Sequence, residues 1–290
     1  MNLSAVQQSH RARALPVVLR ELQPKPSISR VHLGTLPLDT YHKEGFLAEV
    51  LDHALNGHRT RHIVTANAQF FVLSEKDPRF RRCIESAEYI CADGMALVWA
   101  CNHLMKTSIP RINGTDLIEE ICRDGAADGL RIFLLGGKPG AAAATATILE
   151  ARYPGVIIAG INCPDIGFEQ SRSSLDPLLA DILNAKPHVV FVSLGAPKQE
   201  FFILQHLRPL HVPLAIGIGG SFELISGQIE RAPKWLQQSG LEWAFRFAQE
   251  PQRLWRRYLI GNVQFLLGLA KWRFGTGTSN STSHKRTRDI

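Results

Sequence analysis

The sequence predicts an α/β fold: a mostly parallel, Rossmann-like sheet flanked by helices, followed by a helical, basic C-terminal appendage. Three observations predict it. Apolar runs of four to seven residues alternate with segments of helical length, the pattern of βαβ units. Most of these runs end in glycine or a polar residue, as strands do at the ligand-binding edge of an open parallel sheet. The chain's net charge of +7 is not spread evenly: residues 231–290 hold eleven Lys and Arg against three acids, and four of the five tryptophans. The rest of the chain is close to neutral.

Each element follows from its residues. His62-Ile63-Val64-Thr65 reads as a buried strand ending at Asn67, with helices over Ala68–Ser74 and Asp77–Ser86. Glu88–Cys91 is a second strand, ending at Asp93-Gly94, and Met95–His103 returns as a helix. A helix over 115–127 precedes the strand Arg131–Leu135, which runs into Gly136-Gly137 and an Ala-rich helix to Arg152. Val156–Ala159, His188–Leu194 and Leu214–Ile218 are further strands, with helices near 171–185 and 197–208 between them. From Pro251, which suits a first helical turn, Leu254, Trp255, Tyr258, Leu259, Phe265, Leu266, Leu269 and Trp272 fall on one side of a helical wheel. Arg253, Arg256, Arg257, Gln264 and Lys271 fall opposite. Residues 1–30 read as a flexible leader, 31–232 as the α/β catalytic domain, 233–274 as the appendage and 275–290 as a disordered tail.

Composition removes several classes. At 45% hydrophobic and 20% charged, the chain can bury a sizeable core. Its five cysteines are odd in number and lack a CxxC pair, which suits a reducing cytosol rather than a disulfide framework. The N-terminus lacks a signal-peptide apolar run, and no stretch approaches the ~18 apolar residues of a membrane span. Neither GxGxxG nor GxxxxGK[ST] occurs, and the histidines show no metal-ligand spacing. No metal site and no cofactor are expected.

Strand-end residues are where chemistry is expected. Asp93 suits a general base; the competing reading is a cap on the following helix. Gly136-Gly137 would let backbone N–H groups approach a diphosphate, or would simply form a tight turn. Arg111, Asn113 and Asp116 form a polar loop that would clamp a sugar or phosphate, or an Arg–Asp structural pair with a helix cap. Lys198 and Gln199 would face phosphate and a base or sugar edge, or solvent. No Asp-x-Asp occurs, so a diphosphate here would need cationic side chains or helix ends. The appendage helix would lie in an anionic membrane surface, or pack on the domain or a second subunit.

Taken together, the segments resemble the WecG/TagA/CpsF family of bacterial glycosyltransferases. The matching pieces are Thr65-Ala66-Asn67-Ala68, Ala92-Asp93-Gly94, Arg111 to Leu117, Phe133 to Pro139, Tyr153-Pro154-Gly155, Gly195 to Glu200 and Gly217 to Phe222. Ser226-Gly227, Arg231-Ala232-Pro233 and Gly240-Leu241-Glu242-Trp243 with Arg246, Pro251 and Arg253 complete the series, over about residues 31–262. The resemblance implies an inverting, metal-independent transfer from a UDP-sugar to a sugar on polyprenyl diphosphate, in cell-surface polysaccharide assembly at the cytoplasmic face of the inner membrane. It implies Asp93 as base, with Thr65 and Asn67 in the same pocket. It implies Arg231, Arg246, Arg253, Arg256 and Arg257 as candidates to close over the diphosphate. The chain departs from the family pattern at Gln69, at Ile166-Gly167-Phe168 and at Glu223, which stands where an aspartate is usual; all are placed near substrate.

Three other classes stay open on sequence: an NAD-dependent Rossmann oxidoreductase, a nucleic-acid-binding module and a non-catalytic sugar-nucleotide-binding protein. The missing dinucleotide fingerprint weighs against the first. The placing of arginine away from tryptophan weighs against the second, so nucleic acid is not an expected partner.

Overall fold

The computed structural model describes residues 28–274, without the side chains of Arg256 and Arg257. Residues 1–27 of the expected leader, and the whole expected tail, lie outside them. A hairpin opens the described chain: β1 (Ser29–Leu33) and β2 (Leu36–Thr40) pair antiparallel, with Ser29 opposite Thr40. Buried Asp39 fixes it, accepting from Arg30 Nε at 2.7 Å and from the Ile90 backbone N–H at 2.8 Å. The helix α1 (Lys43–Asn56) then leads into the main sheet. Sequence reading left this region unassigned.

Six strands form that sheet: β3 (Arg61–Ala66), β4 (Tyr89–Ala92), β5 (Arg131–Gly136), β6 (Ile157–Asn162), β7 (Val189–Ser193) and β8 (Leu214–Gly217). Their order is β4-β3-β8-β7-β5-β6, and every pairing is parallel. All six expected strands are present with small shifts in boundary, the largest at β6. Alternate residues serve opposite faces, as the pleat requires. Ile63, Ile132, Leu134, Val189, Phe191, Leu214 and Ile216 pack on one side against α1, α5 (Gly114–Gly125) and α6 (Ala141–Arg152). Val64 and Ile90 face the other side, toward α2 (Ala68–Lys76), α3 (Pro78–Glu85) and α4 (Met95–Ala100). Phe133, Leu135, Val190 and Val192 face α7 (Arg172–Ala185) and α8 (Lys198–Phe202) on that same side. The result is a three-layer, doubly wound sandwich. The expected helices at 95–103 and 197–208 each end in a π-helical turn, over Cys101–Met105 and Ile203–Leu207.

Topology places the ligand crevice. From β5 the chain crosses outward to the edge strand β6, whereas from neighbouring β7 it crosses the opposite way to β8. Such a reversal opens a crevice at the strands' carboxyl ends.

After α9 (Ser221–Ile225), the C-terminal segment forms α10 (Lys234–Gln238), α11 (Glu242–Gln249), α12 (Pro251–Trp255), a π-helical turn over Arg256–Ile260, and α13 (Gly261–Phe274). The single apolar stripe expected there is corrected. Leu254, Phe265 and Leu269 are buried, but Trp255, Leu259 and Leu266 are exposed. On a 100° wheel the buried three fall within about 60° of one another and the exposed three lie beyond that arc, so the stripe is narrower than expected. On α13, Phe265, Gly268 and Leu269 face α2: Phe265 meets Phe71 edge-on at 5.3 Å, and a Cβ on Gly268 would lie 2.6 Å from the Phe71 ring. Lys76 Nζ donates to Gln264 Oε1 at 2.7 Å alongside. The opposite face carries Val263, Leu266, Leu267 and Phe274, 56%, 63%, 64% and 86% exposed. The helix is thus apolar on two faces, one docked and one not.

Candidate functional site

A cavity of about 480 Å³ lies at the carboxyl edge of the sheet, roofed by the C-terminal segment. Asp93 follows β4 directly. Its backbone N–H donates to the Ala66 carbonyl at 2.8 Å, and its own carbonyl accepts from Arg111 Nε at 2.9 Å. Asn113 Nδ2 donates to Asp93 Oδ1 at 2.7 Å. The orientation of that amide is set by its other end, because Asn113 Oδ1 caps α5 by accepting from the Thr115 N–H at 2.9 Å. Asp93 does not cap the helix after it: the N-cap of α4 is Gly94, without a side-chain bond. A half-buried carboxylate that lines a cavity, with Oδ1 oriented by a fixed amide donor, can accept a proton.

The floor of the cavity is built from hydrogen bonds between loops. Thr65 Oγ1 donates to the Gly217 carbonyl at 2.6 Å. Gln199 is only 2% exposed; its Oε1 accepts from the Gly195 and Gly219 N–H groups, both at 3.1 Å, and its Nε2 donates to Glu200 Oε1 at 2.7 Å. Gln199 therefore ties the loop after β7 to the turn after β8. Ser193 Oγ donates to the Gly219 carbonyl and Ser221 Oγ to that of Ile218. Glu200 is fully buried, and burial pushes its carboxyl up to about 7, against the opposing pull of the Gln199 hydrogen bond. Asn67 lines the cavity while capping α2, its side-chain oxygen accepting from the Gln69 N–H at 3.0 Å.

Gly136 and Gly137 adopt φ of +91° and +85°, and α6 begins only at Ala141. The Gly137 N–H donates to the Ser193 carbonyl and the Lys138 N–H to Glu223 Oε1, each at 2.9 Å. These donors are engaged within the protein, and the pair forms a tight turn in the cavity wall. Glu223 lines the cavity close by, buried, with Oε2 lacking a protein partner.

Most of the expected cations carry a carboxylate. Arg111 Nη2 meets Glu242 Oε2 at 2.6 Å, Lys138 Nζ meets Glu250 Oε1 at 2.6 Å, and Arg253 Nη1 reaches the same oxygen at 3.0 Å. Lys198 pairs with Glu169 at 2.9 Å and lies over the Phe168 ring. Asp116, expected in the loop with Arg111, and Arg231, expected to close over the diphosphate, pair with each other at 2.6 Å and do not line the cavity. Arg246 differs. It lines the cavity, pairs with no carboxylate among the described residues, and its buried Nε has no partner. One of its terminal nitrogens lies 2.5 Å from where a Gly220 Cβ would be. The Arg256 side chain lies outside the described residues. Glu200, Glu242 and Glu250 were not singled out by sequence as site residues, yet each fixes a residue that was; Asn113, expected in the polar loop, holds Asp93.

This architecture is that of the doubly wound α/β class with its crevice at the switch point. By sequence the protein is a glycosyltransferase: residues 31–279 match the Glycosyl transferase WecG/TagA/CpsF family, and the chain belongs to that family. It is also similar to the N-acetylglucosaminyldiphosphoundecaprenol N-acetyl-beta-D-mannosaminyltransferase of Bacillus spizizenii strain W23, at 32% identity over 214 residues, 74% of this chain and 80% of that protein.

Proposed function

We propose that this protein transfers a sugar from a UDP-sugar to a sugar carried on polyprenyl diphosphate, by single inverting displacement, in assembly of a cell-surface polysaccharide. The observation that carries the reading is one cavity lined by both Asp93, oriented by Asn113, and Arg246, which pairs with no carboxylate among the described residues. Asp93 takes the proton of the acceptor hydroxyl as its oxygen bonds to the anomeric carbon. The bond from that carbon to the β-phosphate oxygen breaks, and its electron pair leaves on UDP. Arg246 meets the negative charge as it develops, which is where a fixed cation lowers a barrier most. Gln199, Thr65 and Glu223 shape the pocket. The relative's name states a β-linked N-acetylmannosaminyl product on a diphosphoundecaprenol-linked acceptor. From an α-linked nucleotide sugar that outcome is inversion, which one displacement and one base give. The acceptor class carried over to this chain is an N-acetylglucosaminyl lipid diphosphate.

The unpaired face of α13 supports work at a membrane surface. Val263, Leu266, Leu267 and Phe274 would enter the headgroup boundary, with exposed Lys271 and Arg273 flanking them toward anionic lipid. No helix among the described residues is long and apolar enough to cross a membrane.

The deciding experiment is a mass-spectrometric screen of UDP-sugars, beginning with N-acetylhexosamines, against a short-chain polyprenyl-diphosphate N-acetylglucosamine. One donor should give a product heavier by one sugar. Hydrolysis of none and transfer from none would overturn the reading.

A further inference from the structure

The helix that carries Arg246 buries none of its own residues. Ala244, Phe245 and Phe247 are only half-buried, so packing alone holds it loosely over the cavity. Its ends are instead tied to the cavity rim. At the first residue of α11, Glu242 Oε2 accepts from Arg111 Nη2 at 2.6 Å, and Arg111 is itself held by the Asp93 carbonyl. One residue past its last turn, Glu250 Oε1 accepts from Lys138 Nζ at 2.6 Å, on the turn that follows β5. Beside it the Gln249 amide pairs both ways with the Glu230 backbone, at 2.9 and 3.0 Å. The Glu242 and Glu250 side chains are 24% and 14% exposed, so these pairs are partly shielded from water. Burial works against the charge on Glu250, but hydrogen bonds from Lys138 and Arg253 outweigh it and hold its carboxyl below the usual range.

We propose that Glu242 and Glu250 are positioning residues that fix Arg246 over the Gly219-Gly220 turn by tethering both ends of its helix to Arg111 and Lys138. The inference rests on Arg246 meeting the leaving diphosphate. It also gives Arg111 another part from the sugar or phosphate clamp expected of it: with Lys138, it anchors the cover that carries Arg246. Displacing a charge-stabilising group by an ångström can lower a rate about 100-fold, so two modest ion pairs at the cavity rim can govern turnover.

The test uses the full-length protein with Glu242→Gln, Glu250→Gln and both together, each also combined with Arg246→Ala. Hydrogen exchange by mass spectrometry, without substrate, reads the tether. Amides of residues 242–249 should exchange about tenfold faster in the single variants and faster still in the double, while those of β5 and β7 stay protected. Turnover with UDP-N-acetylhexosamine and the short-chain lipid acceptor reads its purpose. The single variants should lose about tenfold in kcat with donor KM changed less than about threefold, and should lose nothing further in the Arg246→Ala background. Unchanged exchange in both single variants would overturn the tether. Losses that multiply with Arg246→Ala would show that the glutamates act elsewhere. If Arg246→Ala alone turned over at the wild-type rate, the leaving-group assignment would fall, and the exchange data would still decide whether the tether exists.

Discussion

The rim of the sheet and the C-terminal segment divide the cavity between them in opposite ways. On the rim, polar side chains are engaged with the protein itself: Thr65 with Gly217, Gln199 with Gly195 and Gly219, Asn113 with Asp93. On the C-terminal segment, Arg246 pairs with no carboxylate among the described residues, and one face of α13 is apolar and exposed among them. The rim is a frame whose geometry is fixed before any ligand arrives. The segment is a cover whose unpaired groups suit ligands that the frame lacks. Proton transfer needs a fixed base, and charge stabilisation needs a cation that a leaving anion can reach, so this partition matches the chemistry.

The largest effect should come from the frame. Asp93→Asn keeps the size of the side chain and its contact region with Asn113, but cannot take a proton. We expect kcat to fall about 10²- to 10⁴-fold, the range for a lost general base, with UDP affinity by calorimetry and the melting temperature near those of the parent. An Asn variant with parental kcat would move the base off the rim and break the division drawn above.

The cover should show an intermediate effect, on location rather than chemistry. Leu266→Ser with Leu267→Ser removes two side chains that are 63% and 64% exposed, so folding should be little affected. Fully burying a leucine is worth about 1.5–3 kcal/mol, and partial insertion of two predicts at least a tenfold drop in co-sedimentation with anionic vesicles. Turnover of a soluble short-chain acceptor should be unchanged. Equal sedimentation of variant and parent would mean that this face meets something other than lipid.

Legibility in the sequence followed the range of the forces involved. The six strands were readable because each is a short apolar run, five of them buried on a two-sided sheet and the edge strand β6 partly exposed, and Asp93 because it ends one of them. The hairpin over Ser29–Thr40 was not: its alternation is short, and its anchor is an ion pair of Arg30 with Asp39 under the Ile90 amide, a contact 51 residues distant in sequence. The same holds for the cover. Nothing local to Glu242 announces Arg111, 131 residues away, nor does anything local to Glu250 announce Lys138, 112 away. The two-faced helix misled for another reason. A wheel groups residues by direction but does not say how wide the buried arc is: Leu254, Phe265 and Leu269 fall within about 60°, and Trp255, Leu259 and Leu266 lie beyond it. Gln199 was readable as a cavity residue but not as a brace, because the N–H groups it binds belong to two loops that only the fold brings together.

The smallest effect on turnover, and the sharpest test of how rigid the frame is, should come from Glu200. It holds the Gln199 amide while fully buried, and its carboxyl is raised to about 7 from an ordinary 4.5. The folded protein therefore keeps a proton on Glu200 that the unfolded chain releases above about 4.5. Its contribution to stability is fully present below that value, declines as pH rises toward 7, and levels off beyond. Glu200→Gln keeps an acceptor for Gln199 Nε2 and has no proton to lose. Between pH 5 and pH 8 the parent should lose more melting temperature than the variant, by an amount on the order of 5 °C if the shift amounts to about 2 kcal/mol in a chain of this size. His62 is buried and held at about 3 by desolvation and the nearby Arg208 charge, and it is present in both proteins, so its titration cancels in the difference. Parallel melting curves would mean that Glu200 stays ionised in the fold, and that the brace between the loops after β7 and β8 rests on a charge rather than on a neutral hydrogen bond.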